Sequence, residues 1–245
     1  MNTLIHISYS PWSERARWAL DVQKVPYVSQ PYQPLIGEPA LRLKTGNWQK
    51  NVTVPVLLTE RGAITDSFDI AQFAAQEGRG VQLFPPDKMA QIEHFNALSE
   101  RGLAAGRVLA LLRVRENQQA LLELAPKSLR KVPGMAAISL FGVNRTLRKY
   151  GAEVDAQKQN HNARETLEEL RAALAQGGPD RGVQTLLGQF TYADITASQI
   201  LAMVQPAASM RMGKANREMW RDAELAKEFA DLVTWRDELY GKWRE

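Results

Sequence analysis

The spacing of hydrophobic residues changes near residue 87 and divides the chain into two regions. Before that point, short apolar runs alternate with helical patterns in which apolar residues recur every three or four positions. This spacing predicts strands at Leu4–Ser8, Val25–Ser29, Val54–Thr59 and Ala63–Thr65, and helices at Pro11–Val22, at Ala40–Lys44 and from Ser67 onward. This order predicts a small α/β unit, built from a strand, a helix, a second strand, a crossover, a hairpin and a final helix.

Helical spacing dominates the second region. It predicts helices over Lys88–Leu124, Ala156–Gln176, Thr191–Gln205 and Glu224–Arg244, with no strand pair after Asp87 and an irregular basic segment near residues 126–151. The sequence Phe84-Pro85-Pro86 is typical of a linker. We therefore predict an α/β domain over residues 1–80, a linker over 81–88 and an all-helical domain over 89–245.

Composition narrows the possible chemistry. Of the 245 residues, 44% are hydrophobic and 24% are charged, as in a folded soluble protein. The absence of cysteine excludes disulfides, thiolate zinc sites and any mechanism in which the protein supplies a redox thiol. The three histidines are scattered, with no carboxylates at metal-binding spacing, which predicts no metal site. Since no signal-peptide pattern and no apolar run of roughly 20 residues occurs, we predict a cytoplasmic protein without a membrane span.

Positive charge is concentrated in one stretch. Residues 1–100 carry 9 basic and 10 acidic side chains, residues 101–150 carry 10 and 2, and residues 151–245 carry 12 and 15. The excess in the middle stretch could attract nucleic acid, an anionic membrane surface or a small acidic ligand, or could be a solvated helix face. No aromatic-interleaved or zinc-finger pattern accompanies it, and we predict no nucleic-acid partner.

Three motifs follow one another along the chain. SYSPWSERARWAL (8–20) places a hydroxyl at a strand-to-helix turn, VPVLLTERGAITDS (54–67) places Val-Pro before a hairpin and Asp-Ser at a helix start, and LLGQFTYADIT (186–196) contains a capped helix. In this order and spacing they resemble the cytosolic glutathione transferase superfamily over nearly the whole chain. The resemblance implies a thioredoxin-like first domain, a helical second domain, glutathione as co-substrate and a homodimer.

Two residue pairs are implied to bind glutathione. In the superfamily, the residue before the proline of Val54-Pro55 holds the cysteinyl backbone; a cis bond there would free the Val54 backbone for the ligand. The alternative is a proline that begins an edge strand. Asp66 and Ser67 suit the γ-glutamyl end, because the helix N-terminus and the Ser67 hydroxyl attract its carboxylate and Asp66 attracts its ammonium. The alternative is ordinary helix capping.

Ser10 stands at the position of the catalytic residue in the serine and cysteine branches of the superfamily. A serine there would donate a hydrogen bond to the glutathione thiolate and lower the pKa of the thiol, but could not run thiol exchange. The alternative is a turn serine that caps the next helix. Trp12 matches an aromatic residue that lines the ligand, or is a core tryptophan. Tyr9 is a less favoured hydrogen-bond donor.

Other motifs predict binding or structural roles. Arg42, Lys44 and Lys50 lie where the superfamily often places a cation for the glycyl carboxylate, and the sequence does not choose among them. Thr191 and Asp194 predict a capping box that serves folding. Gly102 and Gly106 form a G-x-x-x-G pattern, which indicates close helix packing, within the chain or across a dimer.

The predicted function is a glutathione-dependent transferase, with a role in detoxification, that activates the thiol for attack on a hydrophobic electrophilic small molecule. The same site would also serve peroxide reduction or ether cleavage. The competing hypothesis is a non-catalytic ligand-binding or protein-interaction module on the same scaffold, which the basic stretch 101–150 favours.

Overall fold

The first region folds around a four-stranded mixed sheet. In the computed structural model, which describes residues 1–34, 37–48, 51–150 and 155–244, the strand order is β2-β1-β3-β4. The elements are β1 (Asn2–His6), α1 (Pro11–Val22), β2 (Tyr27–Pro31), α2 (Glu38–Thr45), β3 (Val56–Thr59), β4 (Gly62–Ile64) and α3 (Ser67–Glu77). Strand β1 is parallel to β2 and antiparallel to β3, and β3 and β4 form a hairpin. This confirms the predicted thioredoxin-like fold.

Strands β1 and β2 are each displaced by about two residues from the predicted segments. Strand β1 ends early because the chain turns after it, where the Ser10 N–H donates to the Ile7 carbonyl at 3.1 Å. Strand β2 begins late because Lys24 adopts a positive φ of 59° and Pro26 lacks an N–H, so the chain is still turning there.

The second region is mainly helical. Its helices are α4 (Met89–Arg115), α5 (Gln118–Leu124), α6 (Met135–Tyr150), α7 (Ala156–Gln176), α8 (Tyr192–Ser198), α9 (Lys214–Trp220), α10 (Ala223–Glu228) and α11 (Ala230–Trp243). The predicted long helix divides in two because Asn117 leaves helical geometry and caps α5 through its side chain. The predicted helix over Thr191–Gln205 is α-helical only as far as Ser198 and continues as a 3₁₀ segment, Gln199–Met203.

Two predictions about the second region were wrong. The segment near 126–151 is irregular only before residue 135, because Met135–Tyr150 forms α6, in which Met135, Ser139, Val143 and Leu147 recur every fourth residue on one buried face. The region is also not purely helical, because β5 (Gly178–Asp180) and β6 (Val183–Thr185) form a hairpin. Three-residue strands are too short to show an alternating pattern, and only the Arg181-Gly182 turn, with both φ values positive, marks the hairpin.

Helix α1 joins the two regions. Its Trp18 side chain is fully buried, lies 4.6 Å from the Tyr240 ring centroid and donates from Nε1 to the Trp243 carbonyl at 3.1 Å. The C-terminal helix therefore packs directly on the first domain. Within the second region, α4 carries Gly102, where an added Cβ would lie 2.8 Å from the Thr166 methyl carbon and 2.9 Å from the Ile200 methyl carbon. The G-x-x-x-G pattern thus serves helix packing inside the chain.

The predicted capping box at the start of α8 is present and fully buried. The Asp194 carboxylate accepts hydrogen bonds from the backbone N–H groups of Thr191 at 2.9 Å and Leu186 at 2.8 Å. The carboxylate thereby fixes the start of α8 and the loop before it.

We expect Asp194→Ala to lower the free energy of unfolding by about 2–5 kcal/mol, because two buried N–H donors lose their acceptor. Asp194→Asn keeps one acceptor oxygen and should lower the free energy of unfolding by less than Asp194→Ala does. Urea denaturation measures both. Glu165→Ala, on the exposed side of α7, is the control and should stay within about 0.5 kcal/mol of the parent; an equally small loss for Asp194→Ala would contradict the assigned role.

Candidate active site

A cavity of about 760 Å³ opens between the two regions. The residues that line it come from the β1–α1 turn, the approach to β3, the start of α3, and helices α4 and α6. All six residues predicted from the motifs are among them: Ser10, Trp12, Val54, Pro55, Asp66 and Ser67. Two of the three motifs, 8–20 and 54–67, therefore line one cavity.

Val54 presents free backbone groups to the cavity. The Val54–Pro55 peptide bond is cis, which was one of the two alternatives that the sequence left open. Strand β3 begins only at Val56, so Val54 stands outside the ladder of the sheet. Neither its N–H nor its C=O has a hydrogen-bond partner among the described residues, and both can pair with an extended peptide ligand.

Asp66 and Ser67 occupy the N-terminus of α3. Asp66 is exposed and caps the helix, with one carboxylate oxygen accepting from the Phe68 N–H at 2.7 Å. The capping alternative is therefore realised, but it uses one oxygen of a carboxylate that lines the cavity and leaves the other oxygen without a partner among the described residues. Ser67 is buried at the first helical position, where N–H groups without helical partners attract an anion. The pair thus presents a carboxylate beside a positive helix end.

Ser10 also combines a cap with a free donor. Its hydroxyl oxygen accepts from the Ser13 N–H at 3.4 Å, and it precedes Pro11 at the start of α1. Among the described residues no acceptor is present for the hydroxyl proton. The oxygen can therefore cap the helix while the proton is donated to a ligand atom in the cavity.

Trp12 is held at the cavity by a polar network that crosses the two regions. Its Nε1 donates to both carboxylate oxygens of Glu100, at 3.0 and 2.9 Å, and Glu100 also pairs with Arg15. Arg15 is fully buried, and its second terminal nitrogen donates to Ser99, which in turn donates to the Thr196 carbonyl. Glu100 also lines the cavity, and the sequence motifs did not indicate this residue as part of the site.

Apolar side chains form the wall next to Tyr9. The Tyr9 ring meets the Trp220 ring edge to face at a centroid distance of 5.7 Å, and burial raises the pKa of the Tyr9 hydroxyl above its ordinary value. The phenol therefore stays protonated at neutral pH. The wall continues with Leu111, Val114, Leu124, Met135, Ile138, Val143 and Met203.

The cations of the cavity differ from those that the resemblance suggested. Arg42 is bound to Glu38 and to two loop carbonyls, Lys44 donates to Gln30, and neither lines the cavity. Lys50 lies outside the described residues. Helix α6 supplies cations instead, through the side chains of Arg145 and Lys149.

Both α6 cations reach the first domain. Arg145 pairs with Glu38 at 3.0 Å, and Lys149 Nζ donates to the Val52 carbonyl at 3.3 Å, two residues before Val54. The hydrogen bond from Arg42, followed by that from Arg145, holds the pKa of Glu38 below its usual value. The basic excess at 101–150 was the sequence signal for these residues, but their orientation toward the cavity depends on α6.

Arg107 of α4 lines the same cavity. Its guanidinium carbon lies 4.8 Å from the Trp12 ring centroid and 4.2 Å from the Tyr150 ring centroid. Burial lowers the pKa of Arg107 from its ordinary value, and the negative charge of Glu100 opposes that change. A guanidinium starts from so high a pKa that Arg107 remains charged at neutral pH.

Comparison with known proteins agrees with this architecture. Residues 9–77 match the family described as glutathione S-transferase, N-terminal domain. A glutathione S-transferase from Methylobacillus flagellatus KT, solved with glutathione bound, is 13% identical over 99% of this chain and 96% of its own, with a TM-score of 0.63. A glutathione S-transferase domain-containing protein from Marinobacter aquaeolei VT8 is 20% identical over 98% of both chains, also with a TM-score of 0.63.

A third solved structure, a glutathione transferase family member from Pseudomonas fluorescens Pf-5 with bound glutathione, is 21% identical over 99% of this chain and 95% of its own, with a TM-score of 0.59. No curated protein sequence matches the chain. The first domain therefore resembles a glutathione S-transferase N-terminal domain, and the whole chain shares the fold of these solved glutathione transferases.

Neither a membrane-spanning helix nor a metal-binding cluster occurs within the described ranges. None of the helices there combines the length and the apolar composition that a membrane crossing requires. Across the same ranges, no cluster of three or more histidine, aspartate or glutamate side chains is arranged to hold a metal ion.

We expect Arg15→Met to lower the free energy of unfolding by about 2–4 kcal/mol, because charged hydrogen bonds at the domain boundary are lost and Ser99 and Glu100 lose a shared partner. Urea titration provides the measurement. Arg61→Met removes an exposed pair with Glu77 and serves as control, with an expected change of no more than about 1 kcal/mol. Equal, small effects for the two variants would show that the network does not hold the domains together.

Proposed function

We propose that this protein is a glutathione-dependent transferase that ionises the glutathione thiol at Ser10 and directs it at an electrophilic small molecule in the same cavity. The observation that carries the proposal is the convergence of the Ser10 hydroxyl, the free Val54 backbone and the Asp66-Ser67 helix start on one cavity with an apolar wall. The glutathione bound in related folds supports the choice of ligand.

In this proposal glutathione lies in three subsites. Its γ-glutamyl carboxylate faces the N-terminus of α3 and the Ser67 hydroxyl, and its ammonium faces the open oxygen of Asp66. Its cysteinyl N–H and C=O pair with the Val54 backbone as an added strand would. Its glycyl carboxylate points toward Lys149, whose ammonium already lies beside the Val52 carbonyl, and toward Arg145.

The chemistry follows from the position of Ser10. The hydroxyl proton and the positive end of α1 stabilise the thiolate, so the bound thiol ionises near neutral pH and its proton leaves to solvent. The thiolate sulfur then forms a bond with the electrophilic carbon while the leaving group departs with its bonding electrons. Ser10 is a thiolate stabiliser in this scheme and forms no bond to the substrate.

The alternative, a ligand-binding or protein-interaction module without turnover, predicts the same glutathione affinity. It differs in the rate at which any electrophile is consumed. Three cations of the basic stretch, Arg107, Arg145 and Lys149, line the cavity, which supports a small-molecule site.

We also propose that the protein is a cytoplasmic homodimer, as the resemblance implies, with α4 at or near the two-fold axis. Sedimentation at micromolar concentration tests this assembly. A mass near the 27.5 kDa of one chain would contradict it.

Calorimetric titration should give a glutathione dissociation constant in the micromolar to millimolar range, about −8 to −4 kcal/mol. Asp66→Ala should weaken binding by about 1.5–3 kcal/mol, because the ammonium loses a charged partner. Absence of heat and of a thermal shift at about 10 mM glutathione, some tenfold above the weakest affinity expected, would refute the proposed function.

Asp66→Asn separates the two roles of this residue. Asparagine caps a helix as well as aspartate does, so the stability of α3 should be retained while the negative charge is lost. Glutathione binding should therefore fall nearly as far as in Asp66→Ala. If Asp66→Asn binds as tightly as the parent protein, Asp66 is a cap alone.

Ser10→Ala should raise the pKa of the bound glutathione thiol by one unit or more, because the thiolate loses its hydrogen bond; a free cysteine thiol has a pKa near 8.5. Thiolate absorbance in the ultraviolet, followed against pH, measures the shift. Affinity at low pH should change little, because the neutral thiol needs little from the hydroxyl.

Ser8→Ala is a matched control, because Ser8 lies in the same turn and donates to the Arg211 carbonyl without lining the cavity. It should leave the thiol pKa unchanged. If Ser10→Ala also leaves the pKa of the thiol and the conjugation rate unchanged, the assignment of Ser10 is wrong. Tyr9 or a backbone N–H would then be the group that stabilises the thiolate.

A further inference from the structure

Within the part of the chain that the structure describes, no acceptor is present for the hydrogen bonds of Arg107. Among the described residues none of its nitrogens donates a hydrogen bond, none lies within 4 Å of a carboxylate, and its Nε is buried without a partner. Its two close neighbours are the rings of Trp12 and Tyr150. Aromatic rings stabilise a cation by their electrostatic field but do not replace the oxygen acceptors that its N–H groups need.

The nearby acidic group does not neutralise this charge. Glu100 lies on the same helix, two turns away, and is close enough to influence Arg107 electrostatically. Its carboxylate is already bound by Arg15, whose side chain is fully buried, and by the Trp12 indole N–H. The negative charge of Glu100 is therefore paired with another guanidinium, and Arg107 keeps a net positive charge in the cavity.

Arg107 lies at the thiol end of the proposed glutathione site. It contacts Trp12, which follows Ser10 by two residues, whereas Lys149 and Arg145 contact the first domain at Val52 and Glu38, on the glycyl side. Next to Arg107 on the same helix, Leu111 and Val114 begin the apolar wall of the cavity. A molecule beside the glutathione sulfur would thus meet an apolar surface and one unpaired cation.

We propose that Arg107 determines acceptor specificity by binding a carboxylate, so that the preferred acceptor is an apolar, aromatic-sized electrophile that carries one carboxylate group. This inference rests on the proposed function and narrows its substrate class. A guanidinium matches the planar, two-oxygen geometry of a carboxylate, and its N–H groups would gain the acceptors that they lack. Arg107 is a specificity residue here and takes no part in the bond changes, in which sulfur replaces the leaving group on the acceptor carbon.

The test uses the binding of finished conjugates, so it does not depend on finding a natural acceptor. S-(4-carboxybenzyl)glutathione and S-(4-carbamoylbenzyl)glutathione have nearly the same shape and differ in one negative charge. Their 3-substituted isomers place the carboxylate or the amide at a second position on the ring, so that two directions toward Arg107 are tested. Calorimetry gives the dissociation constants of these conjugates and of glutathione. Each is measured with the parent protein and with the variants Arg107→Gln, Arg107→Lys and Arg101→Gln. Arg101 is on the same helix, pairs with Glu169 and does not line the cavity, which makes it a matched control.

The parent protein should bind the best carboxylate conjugate about tenfold to one-hundredfold more tightly than its amide, as expected for a charged hydrogen bond. Arg107→Gln should remove this preference and leave the affinity for glutathione unchanged, Arg107→Lys should keep part of it, and Arg101→Gln should keep all of it. Because the preference is a ratio measured within each variant, a general loss of folding does not imitate its removal.

Three kinds of result overturn the inference, each for a different reason. If glutathione binds but the parent protein does not distinguish carboxylate from amide in any isomer, or if Arg107→Gln keeps the preference, Arg107 does not bind the acceptor and the proposed function stands. If Arg107→Gln weakens glutathione and both conjugates equally, Arg107 belongs to the glutathione site. If neither glutathione nor any of the conjugates binds to the parent protein, the proposed function itself fails, and this inference fails with it.

Discussion

The guanidinium of Arg15 has no exposed surface although it lies where the two domains meet. A buried cation is stabilised by polar or charged partners, and here Glu100 and Ser99 of α4 accept hydrogen bonds from its two terminal nitrogens. Because Arg15 is on α1 and both partners are on α4, this constraint fixes the position of the two helices relative to each other. The same carboxylate holds the Trp12 indole, so one ion pair sets both the domain arrangement and one wall of the cavity.

The opposite wall depends on the segment between α4 and α7. Helix α6 packs its buried face on the second domain and directs Arg145 and Lys149 at the first, where each finds an oxygen acceptor. Cations from the helical domain therefore close the cavity above the approach to β3. This explains the uneven charge of the chain better than an exposed basic face would, since part of the excess is turned inward.

Several residues have a structural and a proposed chemical role at once. Ser10 caps α1 and Asp66 caps α3, yet each leaves a donor proton or an acceptor oxygen toward the cavity. Capping and ligand binding both use the unpaired N–H groups at a helix start, so the two roles favour the same residue types. Replacing a residue by one that keeps the cap but not the charge is therefore more informative than alanine alone.

The sequence by itself determined the thioredoxin-like first domain and the capping box of α8, because each depends on neighbouring residues or on a spacing of a few positions. At Val54-Pro55 it left two alternatives, and the structure shows the cis bond. It also indicated the motifs that share the cavity. The tertiary structure decided which cations reach that cavity, since Arg42 is held by its own loop whereas Arg107, Arg145 and Lys149 arrive on helices from the other domain. The direction in which a long charged side chain points is set by contacts between segments far apart in the chain, and the local spacing of residues does not contain that information.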